Sequence, residues 1–191
     1  MPVEYVNRKG QKYYLHAGET KTGKPKYFLS TTTDEACLDI IPVGFEIYEN
    51  PNGQVFMRKK LPKLITDEEL ELVEREIRRF ARLKDSIVER KLTILTIHVA
   101  DRNDIKRDAL REIALFAGRT NIDDIMRNTR TYSALLRFIL VDKELRLFQT
   151  QRFCFRGSID DWIYIGGVAS LASLADQYVK HLGQDSFYEL M

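Results

Sequence analysis

The side chains best suited to chemistry in this 191-residue chain are few and scattered. Asp85, Glu89 and Lys91 fall in one charged stretch, and on a strand Glu89 and Lys91 face the same way. Two carboxylates can hold Mg²⁺ while a lysine offsets charge developing on a phosphate, so this trio suits metal-dependent phosphodiester cleavage. Cys154 stands between Arg152 and Arg156 on one strand face, where two cations favour a thiolate. The other cysteine, Cys37, and the histidines His16, His98 and His181 are far apart in sequence. No CxxC or HxxxH pair occurs, so the spacing predicts neither a zinc site nor a disulfide framework, and no cofactor is expected. Asp160 with Asp161 and Asp123 with Asp124 are adjacent pairs, which point apart on a strand or suit a helix N-terminus. Both pairs are expected to be structural.

Residue types suited to binding are better represented. Lys12, Tyr14 and His16 share one face of the run KYYLHA, Lys21, Lys24 and Lys26 surround the loop GETKTGKP, and Arg8 with Lys9 comes just before. Such lysines neutralise phosphates, and exposed tyrosines stack on unpaired bases. The same residues also keep a small sheet soluble and its edges unpaired. A second basic surface is expected at 145–156. There, alternation places Arg146, Phe148, Thr150, Arg152, Cys154 and Arg156 on one face and Leu145, Leu147, Phe153 and Phe155 on the other. Arginines in line can grip a carboxylate or phosphate bidentately, or form cross-strand ion pairs on a solvated face. The segment GETKTGKPKYF resembles the hairpin of arm-type DNA-binding domains in tyrosine recombinases, a likeness confined to that hairpin. The triplet from Glu89 to Lys91 is similar to the ExK element of PD-(D/E)xK nucleases.

A formal charge of +2 excludes steering of a partner by a global field, but the charge is unevenly placed. Residues 1–63 carry ten Lys and Arg against seven Asp and Glu, and residues 102–156 carry twelve against seven. Residues 64–101 and 157–191 are net acidic, with seven against nine and one against five. The first 63 residues hold eight Lys and two Arg, and the rest hold five Lys and fifteen Arg. That change of basic type marks a boundary near Pro62.

The elements that must position these residues follow from periodicity and turn chemistry. KYYLHA at 12–17 and KYFLS at 26–30 form one hairpin, and FEIYE at 45–49 and QVFMRK at 54–59 form another around NPNG, with a further strand from Tyr5 to Asn7. Thr66 and Glu69 make a capping box for a helix carrying Leu70, Val73, Ile77, Phe80 and Ala81. IVERK at 87–91 ends that helix or forms a short strand before LTILTIHVA. A helix capped by Asp101 or Asn103 runs to Gly118, and a short one starts at Asn121. Strands follow at 132–141, buried on both faces, then at 145–156 and 162–166, before a last amphipathic helix that ends at Gly183.

This order predicts an α+β fold: a small N-terminal antiparallel β module over 1–61, then an α+β domain over 62–191 with a mainly antiparallel sheet and amphipathic helices. The longest uncharged run, Trp162 to Ala175, is shorter than the roughly 20 residues of a membrane span, and the N-terminus lacks a signal-like apolar stretch. A cytoplasmic protein with no membrane partner is expected. The function expected is non-enzymatic binding of nucleic acid, another polyanion or a protein through the Lys/Tyr-rich module. The alternatives are a structural subunit of a larger or homo-oligomeric assembly and a metal-dependent nuclease.

Overall fold

The computed structural model describes residues 1–80, 85–101, 109, 112, 115–116, 129–156 and 159–191, the side chains of Arg156 and Ile159 excepted. The helices expected from Asp101 or Asn103 to Gly118 and from Asn121, with Asp123 and Asp124, fall almost wholly outside the described residues. The architecture is α+β, with antiparallel sheets of three, two and five strands. The chain forms two compact units, Met1–Lys60 with Arg102–Thr131, and Leu61–Asp101 with Tyr132–Met191.

In the first unit, β1 (Glu4–Val6), β2 (Lys12–Glu19) and β3 (Pro25–Ser30) pair in that order, and β4 (Phe45–Glu49) pairs with β5 (Val55–Lys59). The NPNG turn closes β4 on β5 as its residues require: Gly53 sits at φ +80°, and Asn50 and Gln54 are joined by a backbone bond of 2.9 Å. Register puts Tyr5, Tyr13, Leu15 and Tyr27 on one face of the larger sheet, and Tyr27 meets Phe45 edge to face at 5.0 Å. Among the described residues of this unit, Leu15 is the one fully buried aliphatic side chain.

In the second unit, β6 (Ser86–Lys91), β7 (Ile94–Ala100), β8 (Tyr132–Asp142), β9 (Leu147–Arg156) and β10 (Ile159–Ser170) form an antiparallel sheet in the order β10-β9-β8-β7-β6. Helix α1 (Asp67–Arg79) starts at the expected capping box, with the Thr66 hydroxyl accepting from the Glu69 amide and Glu69 accepting from the Thr66 amide. Helix α2 (Leu171–Tyr178) is capped by Ser170. Val73 and Ile77 of α1 and Leu174 and Tyr178 of α2 bury against Leu95, Ile97, Leu136, Phe138 and Phe148. No helix among the described residues is long and apolar enough to cross a membrane.

Residues 87–91 belong to β6, joined to β7 by a two-residue turn in which Leu92 takes φ +53°. β8 is not buried on both faces: Leu136, Phe138 and Leu140 lie under the helices, while Val141 is exposed. Phe187, in a short 3₁₀ turn (Asp185–Glu189), closes the core beyond the last periodic helix position.

Gly166 marks a bulge in β10, where the register with β9 shifts between Ile165 and Ala169. Its φ is +67°, and a Cβ there would lie 1.8 Å from the Tyr178 hydroxyl. Gly166→Ala should therefore cost about 2 to 5 kcal/mol, combining backbone strain and overpacking. Gly167→Ala, which meets nothing within 4 Å, should stay within about 0.5 kcal/mol of the parent. Denaturant unfolding of both variants measures the difference, and equal midpoints would remove this account of the bulge.

Candidate nucleic-acid interface

The second face of the β1-β2-β3 sheet carries Val6, Lys12, Tyr14, His16, Lys26 and Phe28, because Val6 pairs with Lys12, His16 with Phe28 and Gly18 with Lys26. Lys26 thus lies across from a residue with no side chain, and its ammonium reaches 5.6 Å from the centre of the Phe28 ring. Phe28 is 38% exposed. Its ring lies nearly parallel to His16, with centroids 5.3 Å apart. The β2–β3 loop is shaped by Thr20, which accepts from Lys24 N at 3.1 Å through its hydroxyl and donates its own amide to the Lys24 carbonyl at 2.8 Å. Gly23 takes φ +73° there, and Lys21 and Lys24 stand exposed at the tip. Among the described residues, Lys21, Lys24 and Lys26 make no ion pair.

The other expected binding residues are engaged within the protein. Arg8 donates from Nε to Glu49 Oε1 at 2.6 Å and from a terminal nitrogen to the Pro51 carbonyl at 3.3 Å. Lys9 lays its aliphatic stem along Gly53. Lys12 pairs with Glu4 at 3.0 Å, and that bond raises its pKa above the usual lysine range. Tyr14 is half-buried on the open face.

The Arg-lined strand does not form one exposed row. Arg146 lies in the β8–β9 turn at φ +51°, outside the strand, and binds Glu69 and the Leu64 carbonyl. Arg152 is 6% exposed on the helix side of the sheet, donating to the carbonyls of Leu190 at 2.7 Å and Tyr188 at 3.2 Å. Phe148, Thr150 and Cys154 are buried on the same side, so this face belongs to the core. The Arg156 side chain lies outside the described residues.

The nuclease trio also separates. Along an extended chain, four residues put the backbones of Asp85, just before β6, and Glu89, within it, about 13 Å apart. Glu89 instead meets His98 Nε2 at 3.2 Å.

Sequence reasoning missed a cation on the sheet face opposite the helices. The Arg137 guanidinium stacks on Trp162 at 4.2 Å and hydrogen-bonds Gln151, and Phe155 and Tyr164 are exposed on the same face. Burial pulls the Arg137 pKa below its usual value, with Tyr164 and Asp161 opposing. Comparison of the chain with known protein families, curated proteins and solved structures finds no match.

The polar clamp that consumes Arg8 also holds Tyr5, whose hydroxyl donates to Glu49 Oε2 at 2.8 Å. Burial first, then the hydrogen bond and charge of Glu49, push the Tyr5 pKa up to about 12 against the opposing charge of Arg8. The folded chain keeps this proton where the unfolded chain, near pKa 10, loses it. This contribution to stability is complete below pH 10 and is lost as pH climbs through about 12. A phenolate difference spectrum of the parent against Tyr5→Phe should place one ionisation near 12. A midpoint near 10 would contradict the buried clamp.

Proposed function

We propose that the open face of the β1-β2-β3 sheet, with the tip of its β2–β3 hairpin, binds single-stranded nucleic acid. The observation that carries this reading is Lys26 over the half-exposed Phe28 ring, with Lys21 and Lys24 exposed at the hairpin tip and none of the three in an ion pair among the described residues. Lysines supply backbone attraction and an aromatic face supplies base stacking, a pairing that tolerates any sequence. Charge along the chain favours the same surface. Residues 8–30 contain six basic residues against Glu19, whereas residues 31–50 contain five acidic residues and no base. The protein is then a binding module rather than an enzyme.

A salt series of binding to single- and double-stranded oligonucleotides tests the proposal, because each neutralised phosphate steepens the salt dependence. Three lysine contacts contribute about −2 to the slope of log K against log salt on a single strand. Replacing Lys21, Lys24 and Lys26 together with Ala should remove that much of the slope and leave thermal stability unchanged. No binding at about 50 mM salt, or equal slopes for the two proteins, would refute it.

A further inference from the structure

His16 is 1% exposed, and both of its ring nitrogens face oxygen: Nδ1 lies 3.1 Å from Asp34 Oδ1, and Nε2 lies 3.0 Å from the Thr32 carbonyl. A neutral imidazole has one N–H and cannot donate to two acceptors. Both partners only accept, so one nitrogen's lone pair must face an oxygen; with Nε2–H donating to the Thr32 carbonyl, that lone pair is the one on Nδ1, aimed at the Asp34 carboxylate. Two such lone pairs repel, and either a second proton on the ring or a metal ion joins them. Cys37 supplies a third donor atom, with Sγ 3.9 Å from Nδ1 and 3.8 Å from Nε2.

Strand register, not local spacing, builds this group. Cys37 bridges His16 in antiparallel fashion, flanked by bonds from Ala17 to the Ala36 carbonyl at 3.0 Å and from Leu38 to the Leu15 carbonyl at 2.8 Å. His16 and Cys37 are thus a pair without bonds between their own backbones, the arrangement that brings facing side chains closest. Asp34 is fixed from the loop side, where Oδ1 also accepts from the Ala36 amide at 2.9 Å.

We propose that His16 Nδ1, Asp34 Oδ1 and Cys37 Sγ bind a zinc ion. The donor atoms of the three residues lie within 4.8 Å of one another. Zinc bonds of about 2.0 to 2.3 Å place tetrahedral ligands about 3.3 to 3.8 Å apart, so Cys37, whose Sγ lies nearly equidistant from the two ring nitrogens, must turn toward the Nδ1 side of the ring to close the site. The set of imidazole, thiolate and carboxylate suits zinc and disfavours Mg²⁺ and Ca²⁺. The bond from Nε2–H to the Thr32 carbonyl is the outer contact that orients a metal-bound histidine. Asp34 is 59% exposed in its side chain, so the fourth position opens to water. With Leu15 as the one fully buried aliphatic side chain among its described residues, the first unit is the kind of small module that a metal commonly staples.

Titration of the chelator-stripped chain with Co²⁺ and then Zn²⁺ tests the site. One equivalent of Co²⁺ should give a thiolate charge-transfer band and the visible bands of tetrahedral cobalt, and Zn²⁺ should displace it with proton release. Cys37→Ser should abolish the charge-transfer band and weaken zinc at least about tenfold, Asp34→Asn should also weaken zinc, and Cys154→Ser should change neither. Failure of the parent to bind zinc at micromolar concentration would overturn the proposal. Unchanged zinc affinity in Cys37→Ser, or loss of the cobalt band in Cys154→Ser, would overturn it equally.

Discussion

The carboxylate of Glu49 is 9% exposed, and it joins the two sheets of the first unit. One oxygen accepts from Tyr5, and the other accepts from both the backbone and the side chain of Arg8. Beside it, Asn7 is satisfied at both ends of its amide: Nδ2 donates to the Gly53 carbonyl at 2.7 Å, and Oδ1 accepts from the amides of Lys9 and Gln11. The turn after β1 is thereby tied to the turn between β4 and β5. An acid left without these donors would carry an uncompensated buried charge, which costs far more than the pair contributes. The small sheets are held by a complete polar network where a larger domain would use apolar area.

Pairing within the protein decides which cations remain for a partner. Arg8 is committed to Glu49, Lys12 to Glu4, Arg146 to Glu69 and Arg152 to backbone carbonyls near the C-terminus. In the β2–β3 hairpin, Lys21, Lys24 and Lys26 are exposed and make no ion pair among the described residues, so their charge is open to solvent or to an anion. Packing one face of the sheet through Tyr27 and Phe45 leaves Phe28 and Lys26 on the other. Lys12, on that same face, is neutralised by Glu4, so the available charge is that of the hairpin lysines.

Local chemistry made much of this fold legible in the sequence. The NPNG turn and the box formed by Thr66 and Glu69 act over three or four residues, and both stand where the sequence places them. Alternation in 145–156 sorted the residues of β9 correctly into two faces. Which face meets the core was not legible, because phenylalanines occupy both parities and the acceptors for Arg152 come from Tyr188 and Leu190. Arg146 was misplaced for a related reason, since the chain turns at φ +51° where a continuous strand was expected. The grouping of His16, Asp34 and Cys37 was invisible to spacing rules, as it depends on residues 36–38 pairing beside β2.

The central claim is that the hairpin, and not the aromatic face around Arg137 and Trp162, meets nucleic acid. Amide chemical-shift mapping during titration with a short single-stranded oligonucleotide compares the two surfaces in one experiment. The account predicts saturable shifts concentrated at Lys21, Lys24, Lys26 and Phe28, with β8 to β10 unmoved. Shifts centred on Arg137 and Trp162, or none at any residue, would contradict it.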